Sequence, residues 1–460
     1  MLPTARRGSF AGNNVPPAVV SLVERRALVC KGIAFATGNE REGEEDMEDI
    51  DFAAAESWNT EIPERLRRQR AEAPVFWSEK TGAFVLTRFD DVVHVSKNSE
   101  LFRSGQGVIP GKLAAPGIGL IDEGEPRHGE VRNLINRGFA PRMVGRWKEV
   151  FQKITDESLD AIAAKGECDI VDDIAMPLPL ILIAEMLGIR PEDRERFHHW
   201  SDARIAVQGN LDKPEIIAES AKATMEYFDY VTEIIEDRRK NPKSDLISIL
   251  VRARDEGVLG HKKSREIDMV EEELGRSEDL RKMSSDELIK LCVVLLIAEN
   301  ETTRNALSSG MELLIEHPEV RERLIEDPSL IPQAAEEMLR LTSPVLSFQR
   351  TATRDTEIRG VPIAEGQKVR MIYGAANRDP EAFDDPERFD IDRKPPHVAL
   401  GIGNHFCLGA NLARMELRGA LTEILRRIPD MEYRDAGPEL GLSALVRSVK
   451  HIYATYTPEA

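Results

Sequence analysis

From about Ala53 onward the alternation of apolar and polar positions follows a mainly helical period, with one face of each segment suited to burial. Strand signals are short. One covers Ala83 to Thr87, and another covers Glu357 to Tyr373, where Gly360 to Pro362 and Glu365 to Gly366 supply turn chemistry. The run Leu291 to Ala298 lies inside a longer helical pattern. Ser284 or Ser285 offers that helix an N-cap, acids follow in its first turn, and His317 with Pro318 stops it after about Glu316. Arg252 to Asp286 is highly charged and poor in apolar residues, and is expected to be an exposed, partly helical excursion. No internal repeat interrupts the pattern. Many helices with a few small sheets predict one mainly α domain.

The first residues break the pattern. Residues 1 to about 36 mix Pro, Gly, Arg and Ala without periodicity, and Glu40 to Asp51 is a block of acids. The expected organisation is an N-terminal extension over 1–46, disordered or not native, and a single domain over 47–460. Val15 to Val29 is broken by Glu24, Arg25 and Arg26 and makes a poor signal peptide. No segment reaches the ~18 consecutive apolar residues of a membrane span; Ile174 to Ala184 is short and carries Pro177 and Pro179.

Composition narrows the function classes. Hydrophobic residues make up 41% and charged residues 31%, as in a globular chain, and the formal charge is -19. That charge argues against a nucleic-acid partner and against adsorption to anionic membranes. The four cysteines, Cys30, Cys168, Cys292 and Cys407, form no Cys-x-x-Cys pair, so a zinc ribbon or thioredoxin-type site is unsupported. Reduced, unpaired thiols fit a cytoplasmic protein.

The strongest chemical signal is Leu400-Gly401-Ile402-Gly403-Asn404-His405-Phe406-Cys407-Leu408-Gly409, followed by a run of helical character. Two glycines spaced two apart permit a tight loop. Cys407 then falls at a helix N-terminus, where the dipole and free N–H groups favour a thiolate. Such a thiolate can be a nucleophile or a metal ligand; His405 is too near in sequence to serve as a nucleophile's base. A buried, inert cysteine in a Gly-rich turn is the remaining alternative. Three weaker signals accompany the loop. Glu337 and Arg340 share a helix face at i and i+3. Glu299, Glu301, Thr302 and Thr303 place acids and hydroxyls in mid-helix between Leu295 and Ala306. His128 and Arg132 stand at i and i+4. Each of these three, taken alone, is more often a solvated pair or a helix crossing from buried to exposed.

The loop resembles the haem-binding signature of cytochromes P450, Phe-Gly-x-Gly-x-His-x-Cys-x-Gly, and the resemblance extends from about residue 50 to 455. It implies the cytochrome P450 fold, haem b (iron protoporphyrin IX) with Cys407 as axial ligand, and oxidation of a small apolar molecule: R–H + O2 + 2e⁻ + 2H⁺ to R–OH + H2O. Glu337-Met338-Leu339-Arg340 matches the family's Glu-x-x-Arg, and Pro386-Glu387-Arg388-Phe389 resembles the segment that donates a second arginine, so Glu337, Arg340 and Arg388 are expected to form a buried network. Glu301 and Thr302 match the oxygen-activation segment and are implied to deliver protons. His128, Arg132, Arg350 and His405 match positions that contact the haem propionates. Steroids, terpenoids and fatty acids all fit an apolar pocket built from Val108 to Leu120, Ile174 to Gly209 and Leu295 to Thr302. With no flavin or iron–sulfur motif on the chain, the implied electron donor is a ferredoxin or flavodoxin with its NAD(P)H reductase. The basic stretch Arg127, Arg132, Arg137, Arg142, Arg146 and Lys148 either receives that donor or is a solvated face. A peroxide-using peroxygenase and a non-catalytic haem or gas sensor are the alternatives on the same fold. The sequence departs from the family at Leu400, where Phe is usual, and at Glu299, where Gly is usual. Glu299 is expected to point away from the pocket and to be met by a cation or water.

Overall fold

The computed structural model describes residues 49–109, 120–207, 210, 212–255, 285–394 and 396–459. The N-terminal extension, Cys30, most of the Arg252–Asp286 excursion and residues 110–119 of the expected pocket lie outside these.

Helices dominate, as the periodicity requires. In chain order they are α1 (Ile62–Glu72), α2 (Phe89–Lys97), α3 (Arg127–Phe139), α4 (Pro141–Asp160), α5 (Pro177–Leu187) and α6 (Arg194–Ala206). They continue with α7 (Pro214–Lys240), α8 (Leu246–Asp255), α9 (Ser285–Glu316), α10 (Pro318–Glu326), α11 (Ile331–Thr342) and α12 (Ala410–Arg427). Proline stands in the first turn of several of them, where its missing N–H costs nothing. The long α9 ends where His317 and Pro318 were expected to stop it.

α9 is the axis of the helical core. It packs against α5, α6 and α7 on one side and against α11 and α12 on the other. Leu291, Cys292, Val293, Leu295 and Leu296 of its apolar stretch are buried in one large cluster that also takes in α4, α5, α11 and α12. Three of the strands fall where turn chemistry placed them: β6 (Thr356–Ile358) and β7 (Val361–Ile363) form a hairpin, and β8 (Lys368–Ile372) follows. A five-stranded sheet runs β1 (Val75–Ser78), β2 (Ala83–Leu86), β8, β5 (Ser347–Ala352), β3 (Phe102–Arg103), antiparallel except for the parallel β2–β8 pair, while β4 (Glu167–Asp169) belongs to a separate three-stranded sheet. This sheet has its own apolar cluster and delivers β5, which carries Arg350, toward the Cys407 loop.

Candidate active site

The Cys407 loop precedes α12. Gly401 and Gly403 both adopt positive φ, +67° and +75°, conformations that side chains with a Cβ resist. The turn is closed by Gly401 N–H donating to the Val398 carbonyl at 2.9 Å and Cys407 N–H to the Leu400 carbonyl at 2.8 Å. The N–H of Gly409 points at the cysteine sulfur. Burial pushes the Cys407 thiol up, while that N–H and the charges of Arg132 and Arg414 favour the thiolate. Leu400, in place of the usual Phe, packs against the main apolar cluster.

Four basic side chains from three separate parts of the chain converge beside this loop. His128 of α3 stacks on His405 with ring centroids 4.0 Å apart. His405 Nε2 meets Ser104 Oγ at 3.0 Å. Arg132, one turn after His128, donates to the Phe406 carbonyl. Arg350 of β5 is buried and spends one N–H on the Gln349 carbonyl at 2.9 Å. Glu125 brings one negative charge, bonding both His128 Nδ1 and Asn404 Nδ2 at 3.0 Å. The balance stays positive. Burial, then the charges of Arg350, His128 and Arg132, press His405 down to about 2, and burial lowers His128 as well. The buried Nε2 of His128 has no hydrogen-bond partner among the described residues. Such a donor set beside a sulfur suits a dianionic group. The residues present therefore fit a haem.

α9 carries the second group of candidate residues. Thr302 donates from Oγ1 to the Ala298 carbonyl at 2.7 Å. Glu301 is buried, 1% exposed, and pairs with Arg304 at 2.7 Å. Burial raises its carboxyl against the pull of Arg304. From Arg304 the charges continue to Asp202 of α6 at 3.6 Å, and from Asp202 to His198 at 3.2 Å. The side chain of Asp202 is 43% exposed, so the chain of groups reaches the surface.

Two expectations are corrected. Arg388 does not complete the buried network: its side chain is 62% exposed and pairs with Asp385 and Asp390. Arg393 takes that place, with Nε 3.3 Å from Glu337 Oε1. Pro386 and Arg388 contribute only carbonyls, which accept from Arg340 at 2.8 and 3.3 Å. Glu299, in turn, meets no cation among the described residues. It is 9% exposed, and both its carboxylate oxygens are buried without a donor among the described residues.

Sequence reasoning missed a second network behind the loop. Arg414 of α12 grips Glu336 of α11 with two bonds of 2.7 Å, and His397 and Arg418 approach the same carboxylate at 3.3 and 3.5 Å. Against the burial penalty, the bonds from His397 and Arg414 hold Glu336 down to about 2. Arg414 stands seven places after Cys407, and its cationic character was the available signal. Of the basic stretch, Arg127 pairs with Glu287 and Glu130, while Arg142, Arg146 and Lys148 are exposed on α4; the side chain of Arg137 lies outside the described residues.

The chain resembles known proteins over most of its length. The cytochrome P450 family model matches residues 60–429. A steroid C26-monooxygenase of Mycolicibacterium smegmatis is 35% identical, covering 86% of this chain and 93% of its own. A methyl-branched lipid omega-hydroxylase of Mycobacterium tuberculosis is 33% identical, covering 89% and 95%. The solved structure of a Mycobacterium marinum cytochrome P450 in complex with pseudoionone superposes with a TM-score of 0.78 at 30% identity, covering 91% of this chain and all of that one, 100%. No helix among the described residues is long and apolar enough to cross a membrane.

Proposed function

Since the chain belongs to the cytochrome P450 family and is a P450 monooxygenase, we propose that it binds haem b through the Cys407 thiolate and hydroxylates a steroid-like, terpenoid or lipid substrate. Haem bound there supplies the activation of dioxygen and the transfer of one oxygen atom to the substrate. The observation that carries the reading is the convergence of His128, Arg132, Arg350 and His405 beside a cysteine whose sulfur faces the Gly409 N–H.

The chain's own residues have distinct tasks. Gly409 N–H steadies negative charge on sulfur. Arg132 and Arg350 would neutralise the propionates, the neutral His128 and His405 would orient them through ring N–H groups, and the stacking of the two rings fixes the spacing between α3 and the loop. Glu301 passes protons inward from the Asp202–His198 chain, and Thr302 holds the last hydroxyl before the oxygen site. The relatives' named substrates, steroids and methyl-branched lipids, support an apolar substrate of that size. Electrons come from a separate ferredoxin or flavodoxin with its NAD(P)H reductase, for which the exposed Arg142, Arg146 and Lys148 supply a positive landing face in an acidic chain. NAD(P)H-dependent product formation with such a donor separates this reading from a peroxygenase or a sensor.

Thr302→Ala tests the proton path. The variant is expected to keep its haem and to consume NAD(P)H. Product formed per NAD(P)H should fall by on the order of 10²-fold, the lower end of what positioned proton transfer contributes, with hydrogen peroxide accounting for the missing electrons. Unchanged product per NAD(P)H removes Thr302 from the path.

A further inference from the structure

Two residues of α9 carry acids that the folded chain treats in opposite ways. Glu299 and Glu301 are two positions apart, so they project about 200° apart around the helix. Glu301 faces α6 and the charged chain that reaches the surface. Glu299 faces the other way, into the packing between α9 and α12. There it meets Glu416, which is 1% exposed. The two carboxyl groups lie within hydrogen-bonding reach of each other. All four of their oxygens are buried, and none finds an N–H or O–H donor elsewhere among the described residues. The charged groups that act on Glu299 are Glu416 and Cys407; Glu416 is acted on by Glu299; no Lys, Arg or His among the described residues faces either.

Two ionised carboxylates cannot occupy such a place. Each needs a donor, and each would repel the other in a medium of low polarity. A hydrogen bond between two carboxyls exists only when one of them keeps its proton.

We propose that Glu299 and Glu416 share a proton and thereby latch α9, which carries Thr302, to α12, the helix that follows Cys407. The latch acts by position: it fixes the separation of the helix that carries Thr302 from the helix that follows Cys407, and neither carboxyl takes part in the reaction. It goes beyond the assigned reaction, because the pair exists whether or not the oxygen chemistry is as described. A glycine at position 299, usual in the family, has no side chain with which to make it.

The latch has a pH signature. Burial pushes Glu299 well above the ordinary carboxylate value, and pushes Glu416 to about 8, against the bond from Glu299. Both groups therefore bind protons more tightly in the folded than in the unfolded chain. Their contribution to stability is fully present below the unfolded value of 4.5 and is lost as pH rises toward about 8.

The test uses the purified holoenzyme. Infrared spectra of the wild type and of the Glu299→Gln/Glu416→Gln double variant are subtracted at neutral pH. The difference should show the carbonyl stretch of an un-ionised carboxylic acid, shifting in D2O. Melting temperatures of the same two proteins should diverge, the double variant gaining on the wild type as pH rises toward about 8. Glu299→Gln alone should melt higher than Glu299→Ala, because its amide can donate to Glu416 without a proton. A difference spectrum without the acid band, or a melting difference constant with pH, overturns the shared proton. Equal melting of the Gln and Ala variants overturns the latch.

Discussion

Glu337→Ala is expected to lose about 3–5 kcal/mol of stability, the cost of leaving one member of a buried ion pair uncompensated. Against a total of roughly 5–15 kcal/mol for a folded domain, that loss should remove most of the soluble folded protein. The size of the effect follows from the surroundings. Glu337 and Arg340 are 2% and 1% exposed. They are joined by two bonds of 2.7 Å. Arg340 also binds the carbonyls of Asn377 and Pro386 at 2.7 and 2.8 Å and lies over the Phe383 ring, so without Glu337 its charge is trapped in place. The same network separates two arginines that look alike in sequence. Arg393→Ala should destabilise clearly, because its side chain is 10% exposed and reaches Glu337. Arg388→Ala should change stability by no more than about 0.5 kcal/mol, as at an ordinary surface position. Thermal melting of the three variants measures this, and an Arg388 variant as damaged as the Arg393 variant contradicts the placement.

Gly403→Ala should be nearly as harmful, through the backbone. A Cβ at that position would stand 3.1 Å from the Ser96 carbonyl carbon and closer still to its oxygen, at the end of α2. The obstacle is helix backbone, which cannot swing aside as a flexible side chain does. The φ of +75° adds strain of its own, about 1–2 kcal/mol for a residue with a Cβ. The expected result is a Cys407 loop displaced from α2, with weak haem retention and a lowered melting temperature. Gly360→Ala is the control. Gly360 has φ +77°, but nothing lies within 4 Å of its Cβ position, so it carries the strain without the collision. The excess damage at Gly403, read as haem content per folded protein, isolates the contact; equal damage at both positions contradicts it.

These two cases mark what could be read from the chain before the fold was known. Features fixed by local geometry were legible. The Gly-x-Gly turn and the helix after Cys407 depend on neighbours a few residues away, and so does the i, i+3 contact of Glu337 with Arg340. The stop of α9 at His317-Pro318 is likewise local. Features fixed by tertiary approach were not legible. Arg388 and Arg393 are both arginines in one short acidic segment, and only the path of that segment past α11 decides which is buried. Glu336 gathers His397, Arg414 and Arg418 from beyond the sheet, and no spacing rule joins them. Glu299 was marked as a departure from the family, yet its partner, Glu416, sits on another helix. The expected cation is absent among the described residues, and the side chain that Glu299 meets instead, Glu416, is a second acid that no spacing rule joins to it.

Ligation of haem by Cys407 has a direct spectroscopic signature. The reduced, CO-bound wild type should show the red-shifted Soret band of a thiolate-ligated haem. Cys407→Ala should lose that band, while Cys168→Ala and Cys292→Ala, at buried thiols that burial pushes up to about 12, should keep it. A Cys407→Ala protein that still shows the band would contradict this ligation.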